Sequence, residues 1–220
     1  MGYTTDFDGT FSLNKQLSPK MERFLINFNE SRRMQRNLPD HGVQGEFFVG
    51  GEGFMGQERT ADVVDSNNPP STQPGLWCQW IPSDDGMELE WDGGEKFYYY
   101  SEWLFYLIQK VLAPNGYILN GTVAYQGEES NDAGHITVED NTIIVDGVEL
   151  KNISTYKGPK DIRKDIVLLE SDLTLPEETP EGKELRIANA KVKALTEALK
   201  TVMRPKLVDL IVKEVEEQNK

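Results

Sequence analysis

The sequence predicts an α+β fold, with an antiparallel sheet, two packed helices and a C-terminal helical segment. Strand-like and helix-like patterns do not alternate regularly in residues 1–150, which argues against a doubly wound parallel sheet. Residues 117–150 contain three consecutive strand-like runs, which indicate an antiparallel meander. From residue 183 onward, apolar residues recur at helical spacing, which predicts helices without strands.

The first strand and the first helix have clear local signals. Residues 3–13 alternate around Asp8-Gly9, which predicts a short strand or a tight hairpin. Ser18 followed by Pro19 is a typical helix start, because the hydroxyl caps a backbone N–H and proline suits the first helical position. The apolar face of this helix consists of Met21, Phe24, Leu25 and Phe28.

The first helix is predicted to run to about Arg36, with Arg32 and Arg33 also near its C-terminal end. Cations at this end interact favourably with the helix dipole. A solvated helix end explains the three arginines, and contact with an anion or an acidic partner is the alternative.

The middle of the chain predicts loops followed by a hairpin and a second helix. Residues 38–75 are rich in glycine and proline, which indicates loops, with one short strand at residues 46–50. Two alternating runs flank Asp84-Asp85-Gly86 and predict a hairpin over residues 76–91. The second helix is predicted over residues 95–112.

Turn residues mark the end of the second helix and the boundaries of the strands that follow it. Pro114 and Gly116 are expected to end the second helix. Asn120-Gly121 predicts a bulge or bend inside the next strand, and Asp140-Asn141 joins the last two strands of the meander.

The chain is predicted to divide into an acidic α+β domain, residues 1–150, and a helical tail or subdomain, residues 151–220. Pro159 predicts a helix start, with the helix running to about residue 170, and prolines among acidic residues indicate a linker at about 171–182. The next helix has apolar residues three and four apart, as in a short coiled coil. Intramolecular packing explains this spacing, and homodimer formation is the alternative, with Leu185, Val192, Leu195 and Leu199 as candidate self-association residues.

Negative charge is concentrated in the middle of the chain. The 220 residues include 37 acidic and 23 basic side chains, a formal net charge of −14. Residues 40–150 carry 20 acidic and three basic residues, whereas residues 1–39 and 151–220 are nearly neutral. Phosphate repels such a surface, so we expect no direct binding to nucleic acid or to anionic membranes.

Composition disfavours several classes of site. Cys78 is the single cysteine, so an intramolecular disulfide and a thiolate zinc cage are excluded, and its hydrophobic neighbours predict a buried, inert thiol. With only His41 and His135 as histidines, we expect no metal and no cofactor. The N-terminal residues lack a secretory signal pattern and no apolar run is long enough to cross a bilayer, which predicts a cytoplasmic protein.

A glycine-rich run around Gly51 and Gly53 is similar in composition to phosphate-binding loops. It lacks the Gly-Lys-Ser/Thr ending and the strand–turn–helix context of such loops, and Glu52 would repel phosphate. A tightly turned loop is therefore the simpler interpretation, and ligand binding by Gly51 and Gly53 is the alternative.

Aromatic residues provide further candidate binding positions. Trp80 has opposite parity to Trp77 on a predicted strand, so one of the two is expected to face outward as an interface anchor unless both faces are covered. Trp91 is a third candidate, expected to pack inward. Tyr99 belongs to a run of three tyrosines in the first turn of the second helix, of which at least one should be exposed.

Acidic residues crowd two predicted turns. Glu128, Glu129 and Asp132 share a loop between strands, and five more carboxylates lie in residues 84–92. Paired carboxylates can act as general acid and base or bind divalent cations through oxygen, although neither segment has the spacing of a calcium loop. Solvated acidic loops are the simpler interpretation.

Five motifs lie in residues 48–128: FVGGEGFMGQ (48–57), QPGLWCQWIP (73–82), EWDGGEKFY (90–98), EWL (102–104), and GYILNG with YQGE (116–121 and 125–128). Together they resemble a family of uncharacterised phage and prophage proteins, over roughly residues 1–146. The resemblance implies a phage or mobile-element origin and an intracellular stage of action. The family has no assigned activity, so it implies no catalytic residue.

The absence of any catalytic motif favours a non-enzymatic role. We predict a phage-encoded accessory protein that binds a host or defence protein, with an acidic surface that imitates nucleic acid and occupies a basic groove. One alternative is a small-ligand or nucleotide-binding protein, or an enzyme, that uses the glycine-rich and acidic loops. A second alternative is a self-assembling structural protein whose tail helices associate.

Overall fold

The computed structural model describes residues 2–37, 45–50, 57–150 and 166–176. These residues form an α+β fold in which an antiparallel sheet packs against two helices, so the predicted fold class is confirmed. Several predicted features lie outside the described residues: the glycine-rich loop with Gly51 and Gly53, the helical tail beyond residue 176, and the self-association residues Leu185, Val192, Leu195 and Leu199.

Ten strands and two α-helices occur in the described part of the chain. The helices are α1 (Pro19–Glu30) and α2 (Tyr100–Leu107), and α2 is continued by a π-helical turn at Ile108–Leu112. None of these helices is long and apolar enough to cross a membrane. The strands are β1 (Thr5–Asp8), β2 (Phe11–Leu13), β3 (Gln35–Arg36), β4 (Val63–Asp65), β5 (Trp80–Pro82), β6 (Glu88–Trp91), β7 (Leu119–Gly127), β8 (Ala133–Glu139), β9 (Thr142–Val145) and β10 (Val148–Glu149).

Eight strands form the main sheet, in the order β10-β9-β8-β7-β2-β6-β5, with β1 also paired to β7. Strands β3 and β4 form a separate two-stranded sheet. Every pair is antiparallel, and β7 is central because β1, β2 and β8 all pair with it. The predicted hairpin is confirmed as β5–β6, and the predicted meander as β7–β8–β9.

Strands β1 and β2 are two parts of one extended segment. Asp8 pairs with Ala124 and Phe11 with Gly121, and the register does not shift between these pairs. The hairpin alternative for residues 3–13 is therefore wrong. Gly121 has a φ of +140°, and a Cβ at this position would lie 2.7 Å from the carbonyl oxygen of Thr10. The close approach of β7 to the β1–β2 junction thus requires glycine.

Gly121→Ala should lower the free energy of unfolding by about 2–3 kcal/mol, because both the left-handed backbone and the contact with Thr10 exclude a Cβ. Gly147→Ala is the matched control, since Gly147 also has a positive φ of 81° but no heavy atom within 4 Å of its Cβ position. Urea unfolding measures both losses. A loss at Gly121 no larger than that at Gly147 would contradict the packing argument.

Helix α1 starts as predicted and ends earlier than predicted. The Ser18 hydroxyl accepts a hydrogen bond from the N–H of Met21 at 3.1 Å. The helix stops at Glu30, because the following backbone is extended and the N–H of Arg33 donates to the carbonyl of Leu76 at 2.8 Å. The arginines after Glu30 therefore do not form a solvated helix end.

Helix α2 is shorter than the predicted span of residues 95–112. Lys96 and Tyr99 both have a φ of 62°, a left-handed conformation that delays the start of the helix to Tyr100. The end is as predicted, since a 3₁₀ turn at Ala113–Asn115 precedes Gly116, whose φ is +72°. The strand predicted at residues 46–50 is absent from these residues, which form a turn and irregular backbone.

The last predicted strand, residues 142–150, is itself a hairpin. Strands β9 and β10 pair around Asp146-Gly147, both of which have positive φ values. An Asp-Gly pair is the typical signal of such a turn. The alternation of residues 142–150 predicts a single strand, so the turn at Asp146-Gly147 was not predicted.

Residues 166–176 pack against the rest of the described chain. Leu168 and Leu173 are buried, and the N–H of Leu168 donates to the carbonyl of Lys110 at 2.8 Å. Residues 166–169 have no regular secondary structure and Glu170–Asp172 form a 3₁₀ turn, so the described end of the helix predicted at 159–170 is not α-helical. The compact unit that contains these residues extends to Pro176. The predicted boundary near residue 150 and the nature of the tail stay predictions.

The helices cover one face of the main sheet. In β7, Leu119 and Val123 are buried, whereas the intervening Thr122 is exposed. In β8, Ile136 is buried and His135 is exposed. Because side chains alternate across a strand, this pattern places the core on one side of the sheet and solvent on the other.

Candidate functional site

The solvent side of the main sheet is a broad surface, which we call the open face. Its eight strands occupy seven positions roughly 4.8 Å apart, because β1 and β2 both lie beside β7, and the longest strand has nine residues, so the face measures about 30 by 30 Å. Part of it forms a depression of about 460 Å³ between β1, β7 and β8. By strand parity, its outward-facing residues are Asp6, Asp8, Ser12, Ile81, Glu88, Glu90, Asn120, Thr122, Ala124, Gln126, Ala133, His135, Thr137, Glu139, Thr142, Ile144 and Glu149.

The main sheet carries acidic side chains and lacks strong bases. Its eight strands contain six carboxylates and no lysine or arginine. By register all six, Asp6, Asp8, Glu88, Glu90, Glu139 and Glu149, belong to the open face. The acidity of residues 40–150 is thus joined on one surface by that of β1, which the charge distribution along the sequence did not indicate.

The acidic loop between β7 and β8 holds the N-terminal residues in place. Asp132 accepts a hydrogen bond from the hydroxyl of Tyr3 at 2.6 Å, and the Glu128 carboxylate accepts one from the N–H of Thr4 at 2.8 Å. The N–H of Glu129 in turn donates to the Tyr3 hydroxyl at 3.3 Å. These contacts give the loop a structural role, and the described residues contain no group of three or more potential metal ligands.

Trp80 and Trp91 belong to the core side of the sheet. Trp80 is 1% exposed, so it is not an outward anchor. The parity argument failed because the strand begins at Trp80 and does not include Trp77. Trp91 is partly buried and lies edge-on to Phe7, with 5.4 Å between the ring centroids. Neither side chain is available to a partner at the open face.

Tyr99 and Trp77 line a second concave feature, which we call the cleft. It has a volume of about 870 Å³ and lies between residues 67–79 and 95–99, with Gln35 also lining it. Tyr98 and Tyr99 are 47% and 37% exposed, so the prediction that this tyrosine run includes an exposed side chain is confirmed. The structure does not bring Tyr99 together with Trp80, Trp91 or the loop of Glu128, Glu129 and Asp132.

A buried polar network lies beneath this region, and sequence analysis missed it. Arg33 is 2% exposed and donates to the carbonyl of Phe48 at 2.5 Å, the carbonyl of Glu46 at 3.0 Å and Oε1 of Gln73 at 3.1 Å. Its guanidinium also lies over the ring of Phe28, 4.1 Å from the centroid. Burial lowers the pKa of Arg33 to about 10.

The carboxylate of Glu46 completes this network. It is buried, and it accepts hydrogen bonds from the hydroxyls of Thr72 and Tyr106. Burial, with the carboxylate of Glu46 beside the hydroxyl, raises the pKa of Tyr106 well above its usual value. The network connects helix α2 with residues 46–48 and 72–73, so we assign it a structural role. The hydrogen bond from Arg33 to the carbonyl of Glu46 had no local sequence signal, because neither residue belongs to a motif.

Cys78 is buried, as predicted, and burial raises the pKa of its thiol to about 12. A thiol with this pKa is almost entirely protonated at neutral pH and is a poor nucleophile.

Comparison with known proteins identifies no relative. No family model, no curated protein and no solved structure matches this chain. The resemblance to phage and prophage proteins therefore stays a prediction, and function is argued below from the geometry of this chain.

Proposed function

We propose that this protein binds a partner protein with a basic surface through its open face. The observation that carries the proposal is the composition of the main sheet, which has six carboxylates and no lysine or arginine in its eight strands. A surface that carries charge of one sign attracts and selects partners whose surface charge has the opposite sign.

The shape of the open face suits a protein rather than a small molecule. Its dimensions of about 30 by 30 Å are comparable with the roughly 800 Å² that one partner buries in a standard interface. A small residue, Ala124, lies on the central strand β7 and allows close approach. Small-molecule sites, by contrast, are concave and enclose most of the ligand surface.

The partner that fits this proposal is a host or defence protein that itself binds nucleic acid, and the chain acts as a phage-encoded accessory protein in the cytoplasm. Carboxylates on alternate residues of a strand, such as Asp6 and Asp8, repeat at roughly 6.6–6.8 Å along one face. A regular row of negative charges can occupy a groove that normally receives phosphates, which supports inhibition by nucleic-acid mimicry.

The double variant Asp6→Asn/Asp8→Asn tests the open face. We expect the full-length chain to capture a basic protein from bacterial lysate at low salt, and the double variant to bind the identified partner at least about tenfold more weakly. The matched control, Glu58→Gln/Asp172→Asn, removes the same charge from exposed positions outside the sheet and should bind like the unmodified chain. Titration calorimetry with the purified partner measures all three affinities.

Competition by DNA and the dependence of binding on salt concentration test the proposed mimicry. Duplex DNA should displace the chain from its partner, and rising salt should weaken binding steeply. Failure to capture a basic protein, or equal weakening by the control variant, would overturn the proposed binding face. A partner that DNA does not displace would retain the binding face and reject mimicry.

A further inference from the structure

The cleft is a second candidate site, separate from the open face. Its volume of about 870 Å³ lies within the roughly 300–1,000 Å³ typical of ligand-binding clefts. None of the outward-facing residues of the sheet lines it. An inference about the cleft therefore does not depend on the proposed function.

Three aromatic residues, Trp77, Tyr98 and Tyr99, line the cleft, and the two tyrosines are held in position. Tyr99 has a left-handed backbone with a φ of 62°, and its ring lies against Gly75, where a Cβ would be 3.0 Å from Cδ2 of Tyr99. The hydroxyl of Tyr98 accepts a hydrogen bond from the N–H of Tyr3 at 3.1 Å. Left-handed conformations of non-glycine residues are costly and cluster at binding sites, where they orient side chains.

Neutral polar groups also line the cleft. Gln35, Asn67 and Asn68 line the cleft, and an amide side chain both donates and accepts hydrogen bonds. Asn68 is oriented by donating from Nδ2 to the Asp65 carboxylate at 2.8 Å, which leaves its carbonyl oxygen as an acceptor. The charged residues of the lining, Glu95 and Lys96, form an ion pair at 3.6 Å, so the cleft offers little net charge to a ligand.

These features together define the chemistry of the ligand. Aromatic rings require an apolar surface on the ligand, and the amides require hydroxyl-like groups that both donate and accept. A nucleotide or phosphate needs excess positive charge, which the lining lacks. A proline-rich peptide stacks on aromatic rings but has few N–H donors for the amide oxygens.

We propose that the cleft binds a neutral oligosaccharide, with sugar rings stacked on Tyr98, Tyr99 and Trp77 and hydroxyl groups bonded to Gln35, Asn67 and Asn68. A pyranose ring presents C–H groups on its face and hydroxyls around its edge, which suits a lining of aromatic rings and amide side chains. The volume and the open shape accommodate a short segment of a longer chain.

Titration of the full-length chain with maltotriose, cellotriose, chitotriose and mannotriose, each up to about 10 mM, tests the proposal. Saturation-transfer NMR identifies binding and calorimetry measures the affinity. We expect at least one trisaccharide to bind with a Kd of about 1 mM or below. Tyr99→Ala and Trp77→Ala should each weaken it about tenfold, and Gly75→Ala should weaken it severalfold by displacing the Tyr99 ring.

Met87→Ala is the control, because Met87 is exposed but does not line the cleft. This variant should bind the trisaccharide with the affinity of the unmodified chain. Circular dichroism checks the fold of each variant. Tyr99→Ala is the substitution least expected to disturb the fold, because Tyr99 is exposed. Failure of all four trisaccharides to bind would overturn the proposal. Binding of decaproline in their place, with the same sensitivity to Tyr99→Ala, would overturn it in favour of a peptide site.

Discussion

Replacing Arg33 with methionine should lower the free energy of unfolding by about 3–5 kcal/mol. The buried guanidinium donates to two backbone carbonyls and to Gln73, and the hydrogen bonds to Glu46 and Gln73 are themselves buried. Methionine fills part of the volume but donates no hydrogen bond. The carbonyl of Phe48 and Oε1 of Gln73 then lose this donor, whereas the carbonyl of Glu46 keeps the hydrogen bond from Nε2 of Gln73. The favourable charge interaction between Arg33 and Glu46 is lost as well.

Equilibrium unfolding in urea, followed by tryptophan fluorescence, measures this loss. All four tryptophans lie in residues 77–103, so their emission reports on the unit that contains the network. Arg32→Met is the matched control, because Arg32 is only partly buried and its Nε donates to one carbonyl, that of Ser66. We expect a loss of about 1 kcal/mol there. Similar losses at Arg32 and Arg33 would show that burial does not determine the effect.

A double-mutant cycle separates the network from simple packing. Glu46→Gln keeps the shape of the side chain but removes its charge, and the amide retains an acceptor for Thr72 and Tyr106. The pair Arg33→Met/Glu46→Gln should lose less stability than the two single variants combined, because it leaves no uncompensated buried charge. Additive losses would mean that Arg33 acts only through its three direct acceptors.

Trp80→Ala should cost about 3–5 kcal/mol, since removal of a large buried ring leaves a cavity in the core. The ring is 1% exposed and makes edge-on contacts with Phe7, Phe11 and Phe97 at centroid distances of 5.4–5.5 Å. Its Nε1 donates to the carbonyl of Tyr100 at 2.8 Å, which connects β5 to the start of α2.

Trp80→Phe separates the contribution of ring burial to stability from that of the Nε1 hydrogen bond. Phenylalanine keeps an aromatic ring in the cluster but leaves the carbonyl of Tyr100 without this donor, so we expect a smaller loss of about 1–3 kcal/mol. The same urea titration measures both variants. A loss below about 1 kcal/mol for Trp80→Ala would contradict the placement of Trp80 in the core.

Local signals predicted the elements whose residues interact with near neighbours in sequence. The start of α1 depends on Ser18 and Met21, three residues apart, and the turn at Asp140-Asn141 depends on adjacent residues with positive φ. The β5–β6 hairpin likewise closes around Ser83 and Glu88. Such contacts form wherever the local sequence permits them, so the sequence is sufficient to locate them.

Predictions failed where distant contacts competed with local preference. The periodicity of α1 continued toward Arg36, but the backbone of Arg33 pairs with Leu76, 43 positions away in the numbering. The end of the helix was therefore decided by a partner that no window around residue 30 contains. Tyr99 similarly leaves the helical conformation, and its ring packs against Gly75.

The candidate site was predictable only in part. Tyr99 was a candidate because at least one residue of its tyrosine run was expected to be exposed, and it is partly exposed and lines the cleft. Trp80 was offered as an outward anchor, but it is buried because the strand begins at this residue. The loop of Glu128, Glu129 and Asp132 was expected to hold a ligand or simply to be solvated, whereas two of its carboxylates bind the segment before β1.

The sequence by itself determined the fold class, the positions of the main turns and the acidity of residues 40–150, because these depend on composition and on short-range periodicity. Only the tertiary structure decided how that charge is arranged. Antiparallel pairing brings β1, β6 and β8 onto one face with their carboxylates outward, while Arg33 is drawn into the interior beside Glu46. Pairing and burial join residues far apart in the chain, so neither could be derived from local pattern alone.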